Sequence, residues 1–492
     1  MLQKIIRYNL SRPVLIVSSC LAILLGLVLA QHDALHSILW LWLAAPLVYV
    51  VGRKNHGFIL LILLVVVCGG LGLWRGTQYV QKMVAYDQLN KQKVTLVGIA
   101  QSDAVYGKQY QLTFDVVNAT VIVPHEVHLF GTLTISGFGE SAIFKGDTVQ
   151  ITGSLWRTQG NNVALISYGQ LHVLAHHTTL IDTIRRKFDA GLQSALPEPA
   201  ASFGLGLLIG QRNTLPSTIS QQLMMVGLTH IIAVSGYNLT IMLRAAGKLL
   251  GKRSKYQYLC FSVLLILLFL LFAGTSPSIV RASAVCGLGL AAWYYGRAVK
   301  PIVLLMVSAS ATAYLNPLYA WGNVSWYLSF LAFFGVLVVS PIVTKRLYGD
   351  REPGLVQAVM LESLCAEAMT LPYVLFIFGQ MSTVGVLANV LVAAMTPVAM
   401  LLTLVAGLGG MLFSAYAGWV AWPAKMVLTY MLDISHILSR IPHAFLQHIG
   451  FSLKLFVTSY GIVSAVLMLM WRRGHRKYAI ITDKTDPMRS GP

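Results

Sequence analysis

The stretch Gln222–Lys248, QLMMVGLTHIIAVSGYNLTIMLRAAGK, decides how the chain is interpreted. It is apolar enough to enter a bilayer, yet it carries His230, Ser235, Asn238 and Arg244. An arginine at the centre of a membrane helix costs about 2.5–3.5 kcal/mol on insertion scales. Such side chains therefore turn toward protein or a water-filled cavity, and the stretch predicts a polar route through a membrane.

The composition is that of a polytopic membrane protein. Of the 492 residues, 56% are hydrophobic and only 11% are charged, whereas soluble domains carry about 25% charged residues. The net charge of +19 points at first sight to nucleic acid. The excess Lys and Arg, however, lie in short loops and at the termini, where the positive-inside rule places them in any inner-membrane protein. The five cysteines lie in apolar runs and form no CxxC motif, so they indicate small buried side chains.

Apolar runs predict about twelve spans, with both termini in the cytoplasm of a bacterium. Spans at Pro13–Ala30, Ser37–Val51 and Gly57–Trp74 precede a polar region, and the opening stretch supplies another. The remaining predicted spans are Tyr258–Ala273, Ser276–Tyr295, Pro301–Leu315, Val324–Val343, Val356–Phe378, Val384–Val405, Met411–Leu432 and Leu453–Trp471. Residues 433–452 are predicted as an external loop or an interfacial helix.

The polar region, residues 85–179, predicts a small β-barrel of the OB type on the extracytoplasmic side. Its Lys and Arg are nearly balanced by Asp and Glu, and short runs of alternating hydrophobicity are separated by Gly, Asn and Asp. OB barrels bind oligonucleotides through basic and aromatic side chains, and the candidate DNA contacts are Lys91, Lys93, Tyr110 and Trp156. Alternatively, the aromatic residues fill the barrel and close its ends; those considered are Tyr106, Tyr110, Phe114, Phe138 and Trp156.

Two further features of the chain have simple interpretations. Residues 180–221 are predicted as amphipathic interfacial helices, with Arg185, Arg186 and Lys187 away from the apolar stripe. That basic face contacts lipid headgroups or a polyanion. No metal site is predicted, because the histidines lack Asp, Glu or Cys at ligand spacing; they are His125, His128, His172, His176 and His177.

Polar residues recur in the later apolar runs. Arg281, Glu367 and Asn389 join His230, Ser235, Asn238 and Arg244 as candidate residues of the DNA path. Arg281 and Glu367 either neutralise each other inside the bundle, or Arg281 lines an anion route with Arg244 and His230. The sequence contains no Walker A loop, GxSxG or HExxH motif, and neither a catalytic residue nor a cofactor is predicted.

Four motifs in order resemble those of the ComEC family of competence proteins. They are GLTHIIAVSGYN (Gly227–Asn238), PSIVRA (Pro277–Ala282), NPLYAWGNVSWYLSFLAFFGV (Asn316–Val336) and TLPYVLFIFGQMSTVGVLANVLVAAMTPV (Thr370–Val398). The resemblance covers essentially the whole chain. Asn238 stands where the family usually has His, and Asn323 and Tyr327 stand where Asp and Gln are common.

The resemblance implies an inner-membrane channel for single-stranded transforming DNA. It also implies a DNA receptor on the outer face, a cytoplasmic translocase or helicase, and a separate nuclease, because the chain lacks the metallo-β-lactamase-like domain of many members. The expected organisation is a three-span region (1–84), the OB-like barrel (85–179), interfacial helices (180–221), the channel bundle (222–473) and a disordered cytoplasmic tail (474–492).

Two other functions remain open at this point. One is a small-solute or lipid-linked exporter with an extracytoplasmic sensing domain, which an inverted repeat in the bundle would favour. The other is a membrane-embedded hydrolase that uses Ser235 with His230 or another base, although no third group that would orient them is apparent.

Overall fold

The computed structural model describes residues 12–31, 56–107, 110–140, 142–158, 162–177, 179–210, 215–232, 254–273, 277–296, 300–349, 351, 353–392 and 395–484. It divides into two compact units, the first formed by Met1–Gly191 and Ala246–Trp326 and the second by Leu192–Ala245 and Tyr327–Pro492. The described chain is mostly helical, and the first unit also carries a separate β-sheet domain. The predicted span Ser37–Val51 lies outside the described residues.

The described residues form helices in both units. In chain order they are α1 (Arg12–Ala30), α2 (His56–Leu89), α3 (Leu180–Ala195), α4 (Ala200–Ile209), α5 (Ser217–Met225), α6 (Thr229–Ile232), α7 (Lys255–Ala273), α8 (Pro277–Tyr294), α9 (Pro301–Leu315), α10 (Leu318–Gly322), α11 (Val324–Phe334), α12 (Ser340–Tyr348), α13 (Leu355–Phe378), α14 (Gly385–Val392), α15 (Thr396–Leu412), α16 (Ala417–Ser439) and α17 (Leu453–Lys484). A π-helical segment, Gly335–Val339, joins α11 to α12.

Several of these helices have the length and apolarity of membrane spans. Within the described residues, five qualify, and a sixth is added if α14 and α15 count as one bent span. The five are Arg12–Ala30, Leu61–Leu89, Val324–Tyr348, Gln357–Phe378 and Leu453–Met470.

Glycines let α1 and α2 pack closely in the first unit. A Cβ on Gly26 would stand 2.2 Å from the carbonyl oxygen of Gly69, and one on Gly72 would stand 2.3 Å from that of Ile23. Close backbone approach through small residues is the usual way in which helices associate inside a membrane. The indole of Trp321 ties α10 to this pair by donating to the Leu27 carbonyl oxygen at 2.8 Å.

Helix α2 continues well beyond Trp74, where the sequence predicted the span to end. Its 34 residues extend about 51 Å. Tyr79, Met83 and Tyr86 recur at helical spacing and belong to the core of the β-sheet domain. The Tyr86 hydroxyl donates to the Phe130 carbonyl oxygen at 2.8 Å. One helix therefore serves both as an apolar span and as a wall of the sheet domain.

The sheet domain consists of five long strands and two short ones. They are β1 (Lys93–Ala100), β2 (Val105–Tyr106), β3 (Leu112–Val123), β4 (Val127–His128), β5 (Leu133–Phe138), β6 (Thr148–Arg157) and β7 (Ala164–Ala175). Alternate residues of the long strands are buried, so the period-2 pattern correctly predicts this sheet. Phe114, one of the aromatic residues that the sequence analysis considered, is only 3% exposed and belongs to the core.

The five long strands form a continuous circuit of hydrogen-bonded neighbours. Strand β1 pairs with β6, β6 with β7, β7 with β5, β5 with β3, and β3 again with β1. Only the β5–β7 pairing among these is parallel. Apolar side chains on the inner face, including Leu96, Ile135 and Ile151, are completely buried.

Helix α3 follows the sheet domain directly and is anchored to it. Thr179 and Asp182 form a reciprocal cap at its first turn, in which the Thr179 hydroxyl donates to the Asp182 carboxylate and accepts from the Asp182 N–H. Lys145 pairs with Asp182 at 3.5 Å, and the Arg186 guanidinium lies 4.1 Å from the centre of the Phe144 ring. At least Arg186 of the basic face of α3 therefore contacts the sheet domain.

The apolar stripe predicted along α3 is only partly buried. Phe188 and Leu192 are 5% and 0% exposed, whereas Ile184 is 46% exposed. The exposed Ile184 lies one turn after Leu180, which is 84% exposed. This first turn therefore presents apolar side chains outward.

The second unit is built around the fully buried helix α4. Gly204 permits its contact with α15 and α16, because a Cβ there would stand 2.9 Å from Thr403 and 3.4 Å from Leu428. Several sequence predictions differ from the structure in this unit, including the disordered tail, since α17 continues to Lys484. The predicted span Val384–Val405 is divided into α14 and α15, which are bent by 48°. Residues after Leu432, predicted as an external loop or an interfacial helix, instead continue α16 to Ser439, since the next helix breaker is Pro442.

Candidate channel residues and nucleic-acid interface

The opening stretch is described only as far as Ile232. The candidates Ser235, Asn238 and Arg244 lie outside the described residues. His230 is exposed in the short helix α6, and its Nδ1 lies 3.0 Å from the Gly227 carbonyl oxygen. A carbonyl oxygen only accepts, so Nδ1 carries a proton and Nε2 of a neutral His230 is left as an acceptor.

Residues far apart in the sequence meet around Gly227. Its φ of 76° turns the chain between α5 and α6 in a conformation that favours glycine. A Cβ at this position would stand 3.2 Å from the Cβ of Ser382 and 3.5 Å from the Cα of Gly385. We call Gly227, Ser382 and Gly385 the glycine joint. It brings the first family-like motif against the fourth.

Glu367 reaches this joint from α13. Its Oε1 would lie 3.4 Å from a Cβ on Gly385, and Asn389 lies one helical turn beyond Gly385 on α14. Glu367 Oε2 and Asn389 Oδ1 are both buried and have no hydrogen-bond partner among the described residues. Of the sequence-predicted channel residues, the structure thus places Glu367 and Asn389 on neighbouring helices.

Arg281 lies in the first unit, on α8. Its side chain is 1% exposed, and α8 packs against α7 and α9. A buried guanidinium surrounded by apolar helices is expensive and marks a position of function or of specific pairing. Arg281 is therefore retained as a candidate.

Asn323 has a structural role that its sequence position did not reveal. It is completely buried, and its Oδ1 accepts from the Trp326 N–H at 2.8 Å at the start of α11. The indole of Trp326 in turn donates to the Thr312 hydroxyl at 3.1 Å. Asn and Asp are both good N-cap residues, so this departure from the family pattern keeps the cap.

The four candidate contacts of the sheet domain separate into two groups. Lys91, Lys93 and Trp156 lie at one end of the β1–β6 pair, where Lys93 is opposite Ser154 and Lys91 Nζ is 5.9 Å from the centre of the Trp156 ring. Tyr110 lies just before the start of β3 and is 85% exposed. Because β3 runs antiparallel to β1, the start of β3 is at the other end of the domain from Lys93. No single surface holds all four.

The outer faces of β3 and β5 carry hydroxyls, an amide and one carboxylate. The Thr113 and Ser136 hydroxyls lie 2.8 Å apart across the strands. Asp115 Oδ1 accepts from the Thr134 hydroxyl at 3.0 Å and from the Asn162 amide at 3.1 Å. Burial raises the pKa of the Asp115 carboxyl, and these two hydrogen bonds oppose that shift.

Tyr168 is one of the exposed aromatic residues that sequence reasoning missed. Tyr168 is 63% exposed and stacks on Phe138, with ring centres 6.3 Å apart and planes inclined by 28°. The available signal was a break in the alternation of β7, where a large ring directly precedes Gly169.

Histidines of the sheet domain make pairwise contacts. His128 Nδ1 lies 2.9 Å from the Thr120 hydroxyl. His172 pairs with Glu140 at 3.2 Å, and His176 pairs with the buried Asp147 at 3.0 Å. Across the described ranges, no group of three or more His, Cys, Asp or Glu is arranged to hold a metal ion.

The second unit also contains a cavity of about 470 Å³. Glu198 and Asp433 bring carboxylates to its wall. Gln222 Nε2 lies 2.9 Å from His436 Nδ1 across it. The described lining contains neither Lys nor Arg, so the cavity suits a neutral or cationic solute better than a phosphate; the lining residues are Pro197, Glu198, Pro199, Ala200, Ile219, Gln222, Thr429, Leu432, Asp433 and His436.

These features define a helical membrane protein with a separate β-sheet domain and polar residues between apolar helices. A family model described as "Competence protein" matches residues 207–474, which is more than half of the chain. The protein therefore belongs to the competence protein family, as its four motifs predicted.

A curated relative supports this membership at low identity. The chain is 23% identical to ComE operon protein 3 of Bacillus subtilis (strain 168) over 274 residues, which are 53% of this chain and 34% of the relative. The match thus spans about a third of that relative's length. No solved structure matches.

Proposed function

We propose that this protein is a channel that passes single-stranded transforming DNA across the bacterial inner membrane into the cytoplasm. Membership of the competence family is the observation that carries the proposal. It is supported by the polar residues that the structure places in apolar helices: Arg281, Glu367 and Asn389. Ionisable groups in such positions commonly mark a transport path.

The proposed topology has about twelve spans, cytoplasmic termini and the sheet domain outside. The basic loops of the sequence support this orientation, since Lys and Arg concentrate on the cytoplasmic side. We interpret the closed strand circuit as an OB-like barrel. Its order β1–β3–β5–β7–β6 and its single parallel pairing support that interpretation.

In this proposal, the sheet domain receives the strand and the helical bundle conducts it. Lys91 and Lys93 attract phosphates at one end of the domain, next to Trp156. His230 and the polar residues beside the glycine joint belong to the path through the bundle, together with Ser235, Asn238 and Arg244. The close backbone contact at Gly227 gives the path a narrow point.

The protein acts in this proposal without chemistry of its own. Its sequence has no nucleotide-binding loop and no nuclease motif. In this proposal a receptor on the outer face delivers DNA, a separate nuclease removes one strand, and a cytoplasmic translocase or helicase draws in the other.

The direct test follows labelled DNA into the cytoplasm of a strain that lacks this protein. We expect nuclease-protected label to be absent there and to return with the wild-type gene. Normal uptake in the deletion strain would refute the channel. Arg281→Ala should reduce uptake at unchanged membrane abundance, and Arg281→Lys should restore part of it because the charge is kept. If uptake falls only in proportion to abundance, Arg281 is structural.

A second candidate is export of a small or lipid-linked solute. The cavity lined by Glu198 and Asp433 favours it, since its volume suits a small molecule and its charge does not suit DNA. Asp433→Asn distinguishes the two functions. If the protein is an exporter, this variant should lose transport of the solute and leave DNA uptake unaffected. If the protein is a DNA channel, neither wild type nor the variant should transport a solute.

A further inference from the structure

We propose that Glu367, Ser382 and Asn389 form a binding site for a monovalent alkali cation, sodium or potassium, beside the glycine joint. All three residues lie in the second unit, and each brings an oxygen atom to the same part of it. Neither the motifs of the chain nor its proposed function assigns an ion to this place. The chemistry of these oxygens and the charge around them define the ligand.

The three oxygens gather around Gly385. A Cβ built on Gly385 would stand 3.4 Å from Glu367 Oε1 and 3.7 Å from Ser382 Oγ. Asn389 follows on the same helix, one turn later and on the same face. Ser382 belongs to a short strand, β8 (Met381–Ser382), which lies between α13 and α14. Three separate elements thus supply the site.

The oxygens that meet here are acceptors that lack donors. Glu367 Oε2 and Asn389 Oδ1 are both buried and have no hydrogen-bond partner among the described residues. The Ser382 hydroxyl donates its proton to the Ala444 carbonyl oxygen at 3.5 Å, so its lone pairs remain as acceptors. Buried acceptors without a donor are destabilising. A cation satisfies several of them at once, whereas an anion satisfies none.

The charge of the site fixes the valence of the cation. Helix α14 begins at Gly385, so the positive end of its dipole lies next to the Glu367 carboxylate and favours the charged form. The described elements that supply the site and the glycine joint contain neither Lys nor Arg; they are α5, α6, β8, α13 and α14. A single carboxylate among apolar helices is unfavourable. One monovalent cation neutralises it and leaves no net charge.

The depth of Glu367 places the site inside the apolar part of the second unit. Glu367 lies midway along the apolar helix Gln357–Phe378, so α14 begins beside the middle of that helix and not beside its end. Helix α14 has only 8 residues and is bent by 48° from α15. Short helices and helix breaks at mid-membrane depth are the places where transporters hold coupling ions.

A bound cation has a direct consequence for the DNA path, and this step rests on the proposed function. The glycine joint is the narrow point of that path, and a negative charge on Glu367 repels the DNA phosphates there. A cation removes this repulsion and holds α13 against α14. Loading of the site therefore links the packing at the narrow point to the surrounding ion concentration.

The experiment measures the unfolding temperature of the full chain in detergent, in sodium, potassium or choline chloride at one ionic strength. Choline is the inert reference, because its bulky headgroup does not fit between three converging side chains. In wild type we expect sodium or potassium to raise the unfolding temperature saturably, by about 2–4 °C relative to choline. The larger of the two responses identifies the preferred ion, and magnesium chloride should give a smaller one.

Three variants locate this effect. Glu367→Gln should lose the rise, and in choline it should be at least as stable as wild type because its amide donates to the unpartnered acceptors. Ser382→Ala should shift the response to higher cation concentration. The matched control is Glu362→Gln, which changes another carboxylate of α13, about 140° away around the helix. This control should keep the full rise.

Equal unfolding temperatures of wild type in sodium, potassium and choline would overturn the site. So would a rise that Glu367→Gln retains, a rise that Glu362→Gln loses, or a larger rise with magnesium. Should Glu367→Gln fail to fold, Ser382→Ala decides, since an unchanged response in that variant also refutes the site. DNA uptake in the deletion strain tests the channel separately: normal uptake together with a persistent cation response would leave the site standing without the channel.

Discussion

The backbone of Gly335 lies directly against that of Cys365. A Cβ built on Gly335 would stand 2.5 Å from the Cys365 carbonyl oxygen and 2.8 Å from the Cα of Ala366. Gly335 begins the π-helical segment between α11 and α12, and π segments inside helices are frequent at functional sites. The contact therefore fixes how a locally widened helix packs on α13.

Gly335→Ala should destabilise this helix pair. The new methyl group meets backbone that cannot move aside as a side chain does, and overpacking of this kind costs about 1–3 kcal/mol. The loss is measured as a lower unfolding temperature in detergent. Gly461→Ala on α17 is the matched control, because a Cβ there meets nothing within 4 Å. If both variants unfold at the wild-type temperature, the contact is looser than the structure shows.

Glu367→Gln should not destabilise the second unit when sodium and potassium are absent. Glu367 Oε2 and Asn389 Oδ1 are buried acceptors without a donor among the described residues, and the amide of glutamine supplies one. A hydrogen bond gained in this way is worth about 1 kcal/mol. Glu367→Ala removes the side chain and should lower the unfolding temperature. If glutamine were as harmful as alanine, Glu367 would be charged and paired in the native protein.

Glu140 should stabilise the sheet domain most at neutral pH. The Val173 N–H donates to Glu140 Oε1 at 3.0 Å, and His172 Nδ1 lies 3.2 Å from the same oxygen. First the Val173 N–H and then His172 lower the pKa of this carboxyl. A lowered folded-state pKa gives stability that is present above the unfolded pKa and is lost as the pH falls through the folded pKa.

Unfolding of wild type and Glu140→Gln across pH tests this effect. The wild-type advantage should be constant near neutrality and disappear under acid conditions. An advantage that grows on acidification would contradict the assigned hydrogen bonds.

Asp115 should show the opposite dependence. Burial raises the pKa of its carboxyl, so its contribution is favourable below the unfolded pKa and is lost as the pH rises through the folded pKa. Asp115→Asn keeps acceptors for Thr134 and Asn162 without the charge. The variant should match wild type in acid and be more stable than wild type at neutral pH. A variant that is less stable at neutral pH would show that the carboxylate is needed in its charged form.

The sequence predicts the sheet domain and the family better than it predicts the site. Alternation alone identifies the strands, because one face of each is buried. The approach of Glu367 to Gly385 and Gly227 depends on tertiary packing across most of the second unit, which spacing along the chain does not encode. The outward position of Tyr168 depends on an irregularity in strand pairing, which interrupts the alternation of inward and outward side chains along β7. The alternating pattern of the sequence therefore does not predict which way Tyr168 points. Likewise, nothing in its local sequence identifies Asn323 as a cap rather than a channel residue.

Lys93 should control the salt dependence of DNA binding. It is exposed at the start of β1, in the same end of the domain as Lys91 and Trp156. Each phosphate contact on single-stranded DNA contributes about 0.7 to the slope of log affinity against log salt. Lys93→Gln should therefore reduce that slope by about 0.7. Lys454→Gln, an exposed lysine on α17, is the control for net charge. An unchanged slope in Lys93→Gln with a reduced slope in Lys454→Gln would show that phosphates are bound elsewhere.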